Sequence, residues 1–482
     1  MEKTELSNID VSDFPDAASV FRFFEEISKI PRGSGNTEKI ADYLISFAME
    51  RGLEHFRDAA GNVIIKKPAT VGLECRPTVV FQAHTDIVAQ KTADCSIDME
   101  REGLRLYREG DLIHADGTTL GADDGIGVAY MLALLDSSDI PHPMIEALFT
   151  SDEEIGLIGA AALDGRLIDG RIMINIDSDA EGIFTVGCAG GVRINASLPV
   201  SRERYSAPAY RICISGLIGG HSGADIDKGR ANASKLLAQL LSTLDGARLA
   251  SMAGGSADNA ITRTCEAIIF TNDSKISDTV SAFADKARAE YGECEPTLTV
   301  SLERTECELL PLDESSGKAV TALLTALPNG IVKMSEDMNG LVETSLNLGI
   351  LELSDGELRF STALRSSKEA EKARLRERVE RLISEFGGSF EESGDYPGWE
   401  YRPVSHLRDV MCRVWRDMYD KDAVVTAIHA GLECGILSSK LPGLDCVSIG
   451  PDNYDIHTTE ERLSVSSSAR VWNFIKNVLK QI

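Results

Sequence analysis

An alternation of two hydrophobic periods along the first two hundred residues constrains this chain most. Short apolar or β-branched runs at 62–65, 78–83, 145–150 and 171–176 read as strands, and helical patterns at 125–135 and 155–163 separate the last three. Ahead of them Val20, Phe23, Phe24, Ile27 and Ile30 recur at helical spacing. So do Ile40, Tyr43, Leu44 and Phe47, after Asn36 and Thr37, residue types that cap helices. Strands alternating with helices predict a mostly parallel sheet, an α/β domain. The order changes between about 205 and 395. There, strands at 211–215, 265–270 and 298–303 intersperse with helices at 231–244 and 278–291, and a hairpin-like pair at 345–351 and 357–364 leads into a charged helix at 368–386. Gly387-Gly388 and 391–394 mark the exit of this α+β module. The α/β pattern then resumes with a helix at 405–419 and a strand at 445–449. The expected layout is one α/β domain made of 1–204 and 396–482, with an α+β domain inserted at 205–395. A chain of 482 residues calls for two domains, because single cores stop growing at roughly 250–300 residues.

Charge narrows the partners. With 49 Lys and Arg against 76 Asp and Glu, the net charge of -27 argues against nucleic acid and anionic membranes. No apolar stretch approaches the ~18 residues that span a bilayer. Met1-Glu2-Lys3-Thr4-Glu5 lacks the basic-then-apolar pattern of a signal peptide, so a cytoplasmic location is expected. Ten cysteines are scattered without a C-x-x-C and read as reduced, mostly buried small hydrophobes.

Five short motifs carry candidate chemistry. In Phe81-Gln82-Ala83-His84-Thr85-Asp86, residues two apart on an extended segment share a side, so Asp86 can reach the His84 ring and aim its other nitrogen at a metal. Gly121-Ala122-Asp123-Asp124-Gly125 sets two acids in a glycine-rich turn, and Thr150-Ser151-Asp152-Glu153-Glu154 sets three after an apolar run. Asp177 ends another run, and His457 follows the C-terminal one. Singly, each has an ordinary structural reading: loop hydrogen bonding for His84 and Asp86, acidic helix capping for the second and third motifs, a strand-to-loop aspartate, a surface histidine. Together they lie at or just past the C-terminal ends of predicted strands or in the turn into a helix, where open α/β sheets bind ligands. Two histidines with several carboxylates suit zinc.

This combination resembles the aminoacyl-histidine (Xaa-His) dipeptidase branch of the co-catalytic zinc peptidases, over nearly the whole chain. Further motifs carry the resemblance, among them Ile30-Pro31-Arg32-Gly33-Ser34-Gly35-Asn36, Gly219-Gly220-His221-Ser222-Gly223 and Ala427-Ile428-His429-Ala430-Gly431-Leu432-Glu433. The resemblance implies a catalytic α/β domain and an inserted lid, with two Zn2+ per chain, Co2+ and Mn2+ also fitting the ligands. It implies that Asp123 bridges the ions, that His84 and Asp177 complete one site, and that Glu154 and His457 complete the other. Asp123-Asp124 is the peptide bond that such relatives hold cis. Glu153 is implied as the general base for a water held between the ions, and His221 as a contact to the scissile carbonyl oxygen. Arg365 and Asn259 are implied to hold the substrate carboxylate, although Arg365 also reads as a surface salt-bridge partner. His429 and Glu433 are implied to line the pocket and contact the substrate amine. The expected activity is hydrolysis of dipeptides, including Xaa-His and β-alanyl-histidine types. The partner is a small peptide, with a homodimer as the assembly that some relatives adopt. Two alternatives stand beside it: an amidohydrolase acting on N-acyl amino acids, and a metal-binding protein without activity.

Overall fold

The computed structural model describes residues 9–354 and 356–482. The first five residues, on which the expectation about a leader rests, lie outside the described residues. The chain divides into two compact units: 1–187 with 401–427 and 432–482, and 188–400 with 428–431.

The first unit is built on an eight-stranded sheet. Its order is Glu54–Arg57, Val63–Lys67, Ile145–Thr150, Val79–His84, Ile172–Asn175, Asp445–Ser448, Ile183–Cys188 and Val424–Ile428. The four middle strands run parallel, and antiparallel pairs flank them. Val79–His84 and Ile145–Thr150 are buried at all six positions, which is why they read as unbroken runs rather than alternating ones. Helix Ala122–Asp136 is buried on nearly every face, and helix Ala18–Ser28 packs on it, with the Phe24 ring close to Gly125. Helix Val465–Leu479, not anticipated from sequence, packs on His406–Tyr419. Thr37 precedes helix Glu38–Glu50 without a capping side-chain bond, and Asn36 instead donates to the Glu100 carbonyl at 3.0 Å.

The predicted helix at 155–163 shrinks to Ile158–Ala162. The residues before it form a tight loop, with Asp152 at φ 52° and Leu157 at φ 59°. The backbone N–H groups of Glu153 and Glu154 donate to Asp86 at 2.9 and 3.3 Å, so they are spent on a side chain.

The second unit is α+β. Nine of its strands form an antiparallel sheet, with helices Ala233–Ser242, Ile276–Tyr291, Glu314–Ala326 and Glu369–Glu385 supplying the rest of its core. It begins at 188 rather than 205, because Gly190–Pro199 is an interior strand that pairs with both Glu357–Ser366 and Ser389–Tyr396. That last strand also corrects the expected exit: 391–394 lies within a strand, and the unit runs to 400.

Candidate metal centre

In the first unit five side chains converge from the ends of the parallel strands and the loops beside them. His84 is the last residue of Val79–His84, and Asp177 lies two past Ile172–Asn175. Asp123 and Asp124 open the buried helix, joined by a cis peptide bond. His457 sits at φ 63° in a loop, a backbone region rare for residues other than glycine.

Asp123 faces both histidines. Its Oδ1 lies 3.0 Å from His84 Nε2, and its Oδ2 lies 3.0 Å from His457 Nε2. Asp177 Oδ1 is 3.8 Å from His84 Nε2, and Glu154 Oε1 is 2.9 Å from His457 Nε2. Two three-residue clusters result, His84–Asp123–Asp177 and Asp123–Glu154–His457, each with ligand atoms within 4.8 Å of one another; His84, Glu153 and Glu154 form a third.

The supports are partly those expected. Asp86 Oδ1 lies 3.5 Å from His84 Nδ1, but the Asp86 main-chain oxygen is nearer, at 3.1 Å. The carboxylate makes its shorter bonds elsewhere, accepting from Ser34 Oγ at 2.8 Å and from the two glutamate N–H groups. Glu433 departs from expectation. It is wholly buried, and its Oε2 accepts from Gln82 Nε2 and Thr150 Oγ1, both at 2.6 Å. It has no surface to offer a substrate amine, so that contact is corrected to a role inside the sheet layer.

The electrostatics follow from burial against pairing. Burial works to lower the His84 pKa, but its bonds to Asp123 and Asp86 outweigh this and hold it well above the ordinary value. Bonds to Asp123 and then Glu154 raise His457 to about 10. Burial, reinforced by Asp124, Asp123 and Glu153, pushes Asp177 up, and burial also pushes Glu153 up to about 8.

The second unit gathers the remaining candidates. His221 Nδ1 accepts the N–H groups of Gly223 and Ala224 at 3.3 and 3.1 Å, so the neutral ring carries its proton on Nε2. Arg365 Nη2 lies 3.5 Å from that Nε2, and Nη1 donates to Tyr396 Oη at 3.0 Å. No carboxylate among the described residues forms an ion pair with Arg365, which removes the surface salt-bridge reading. Two donors therefore face each other, an arrangement that calls for an acceptor. Asn259 is exposed beside them, its carbonyl accepting the Ser222 N–H at 2.7 Å. His429 is buried, with Nε2 2.7 Å from Ser345 Oγ, and burial and the Arg365 charge lower its pKa to about 4.

A model of peptidase family M20/M25/M40 matches residues 80–481. The chain belongs to this family. It is 35% identical over 468 residues to the cytosol non-specific dipeptidase of Escherichia coli K12, covering 95% of this chain and 96% of that protein. It superposes on the crystal structure of aminoacylhistidine dipeptidase from Vibrio alginolyticus with a TM-score of 0.93 at 34% identity, covering 100% of this chain and 98% of the other. The aminopeptidase PepT structure from Bacillus cereus shares the fold, with a TM-score of 0.56 at 18% identity. M20 metallopeptidases use divalent metals, and the donor set here fits one. Each paired cluster offers an imidazole and two carboxylates, and buried carboxylates this close repel unless a cation lies among them.

Several side chains around this site lay beyond sequence reasoning. Arg32 and Gln82 sit inside motifs read for other residues, and Glu461 and Tyr396 carry no local signal. Their partners lie far away in sequence: Glu461 accepts from the N–H of Leu120, 341 residues earlier.

Proposed function

We propose that this M20 chain hydrolyses dipeptides, holding two zinc ions through His84, Asp123 and Asp177 at one site and Asp123, Glu154 and His457 at the other. The supporting observation is Asp123, a single carboxylate with each oxygen directed at a different histidine. The printed activities of the Escherichia coli and Vibrio relatives support a dipeptide substrate, of the aminoacylhistidine type in the second. The first relative's cytosolic location supports a cytoplasmic enzyme.

Bound zinc would supply Lewis acidity, polarising a carbonyl and lowering the pKa of water toward ~7. Glu153 is the general base. Its carboxylate takes a proton from the attacking water and returns it to the departing amine nitrogen. In the ion-free chain burial and neighbouring carboxylates push its pKa up to about 8, and bound cations would lower it toward the carboxylate a base requires. Asp86 holds the Glu153 and Glu154 backbone in place. His221 Nε2–H and the Arg365 fork supply donors, the first for the oxyanion and the second, with Asn259, for the terminal carboxylate.

The test is a panel of Xaa-His dipeptides, β-alanyl-histidine, other dipeptides and N-acyl amino acids. It is assayed after chelation and after reconstitution with zinc, cobalt or manganese. Metal-dependent dipeptide cleavage is expected. Preference for N-acyl amino acids would reassign the substrate, and metal binding without turnover would overturn the reading.

A further inference from the structure

The densest set of hydrogen bonds around the centre ends on two side chains that touch no proposed ligand atom. Glu461 is 3% exposed. Its Oε2 accepts the N–H groups of Leu120 and Gly121, each at 2.8 Å, and its Oε1 accepts those of Ala122 and Asp123 at 2.8 and 3.3 Å. Arg32 is 1% exposed. Its Nη1 donates to the Thr85 carbonyl at 3.0 Å and its Nη2 to the Gly121 carbonyl at 2.6 Å. Gly121 is thus held at its N–H by one side chain and at its C=O by the other.

We propose that Arg32 and Glu461 form a buried clamp that sets the position of Asp123 and so governs the affinity for both metal ions. The inference rests on the two-ion reading above. The geometry ties three ligand-bearing segments together: Thr85 follows His84, residues 120–123 end on Asp123, and Glu461 comes four residues after His457. The backbone is shaped around the guanidinium. A Cβ at Gly125 would lie 2.3 Å from Arg32 Nη2, so only glycine leaves the slot open. Of the carboxylates acting on Arg32, Glu461 acts most strongly, ahead of Asp86, Asp124 and Asp123, so the two side chains are paired by charge as well as by the Gly121 backbone they share. Both are positioning residues, since neither reaches the reacting atoms.

The test titrates the full-length, chelator-stripped chain with zinc against a chromophoric competitor. Glu461→Gln keeps the shape but replaces one acceptor oxygen with a donor, stranding two of the four N–H groups. Both zinc affinities should fall at least tenfold. After saturation with zinc, kcat for a dipeptide should fall while KM holds. Glu460→Gln, at an exposed neighbour, should leave both affinities unchanged. In Arg32→Met combined with Glu461→Gln, the loss should be smaller than the product of the two single losses, as for one clamp. Circular dichroism establishes folding. If Glu461→Gln does not fold, Arg32→Lys decides, because one ammonium keeps the charge but cannot span two carbonyls as a guanidinium does. It too should lower both affinities. Wild-type affinities in a folded variant, or loss at one site alone, would overturn the clamp. Zinc binding by the wild type without dipeptide hydrolysis would sink the functional reading and leave the clamp standing. A wild type that binds no zinc would overturn both.

Discussion

Glu153 and Glu154 are neighbours in the chain, yet their carboxylates meet different partners. Both cluster with His84, but Glu154 Oε1 also lies 2.9 Å from His457, while Glu153 is pushed up to about 8 by burial. Glu153→Gln should therefore retain wild-type zinc by elemental analysis and lose roughly 10²–10⁴ in kcat. Glu154→Gln should lose zinc as well. Near-wild-type turnover in Glu153→Gln would dismiss it as the base. The histidines carry a second prediction. With its pKa raised to about 10, His457 is protonated at neutral pH in the ion-free chain, and a cation must displace that proton. Raised carboxyls at Asp177 and Glu153 act in the same direction. Zinc affinity should fall steadily as pH drops from 9 to 6. Calorimetry in two buffers of different ionisation enthalpy should show proton release at pH 7, and no release would refute the pairing.

At the scale of elements, the centre rests on a buried polar layer across three adjacent strands. Gln82 donates to Glu433 and Thr150 and accepts from Asn175 at 2.6 Å. Two residues on from Gln82 is His84, and two on from Asn175 is Asp177, so the layer lies one pleat step below two ligands. Burial raises Glu433 to about 7, above the ordinary value of 4.5. Between those pH values the folded chain keeps a proton that the unfolded chain releases, so this group's contribution to stability falls as pH rises. Glu433→Gln keeps an acceptor and does not titrate. Its stability relative to wild type should rise by on the order of 3 kcal/mol from pH 4.5 to 7 and then level off. Urea unfolding of both ion-free proteins at pH 5 and pH 8 measures this. A pH-independent difference would show that Glu433 does not hold that proton.

For the whole molecule, every proposed metal ligand belongs to the first unit, while His221 and Arg365 belong to the second. His221→Ala should leave zinc content unchanged and lower kcat more than it raises KM, by on the order of 10²–10³ in kcat for a lost oxyanion donor. Unchanged kcat would remove the role. Mixing subunits asks which copy it serves. If the chain is a dimer, co-refolding His221→Ala with Glu153→Gln restores activity only where His221 acts on its neighbour's centre.

The runs that become Val79–His84, Ile145–Thr150 and Ile172–Asn175 were legible in the sequence because their signals are local, whereas the proposed ligand set came from the family resemblance. A buried parallel strand is an unbroken apolar run, and of the proposed ligands His84 and Asp177 lie within two residues of where such a run ends. The α+β character of 205–395 was legible for the same reason. The edges of the second unit were not, since Gly190–Pro199 joins it by pairing with strands that come roughly 160 to 200 residues later. Nor was the shortened helix at 158–162, because the loop before it carries Asp152 and Leu157 in the left-handed region, which a helix cannot include. The residue types of the site could be read one segment at a time. The setting of Glu433 and the clamp of Arg32 and Glu461 depend on hydrogen bonds between segments up to 351 positions apart. Only the folded chain brings those donors and acceptors into hydrogen-bond range, so tertiary structure decides which buried acids, Glu433 and Glu461 among them, hold the frame around the proposed centre.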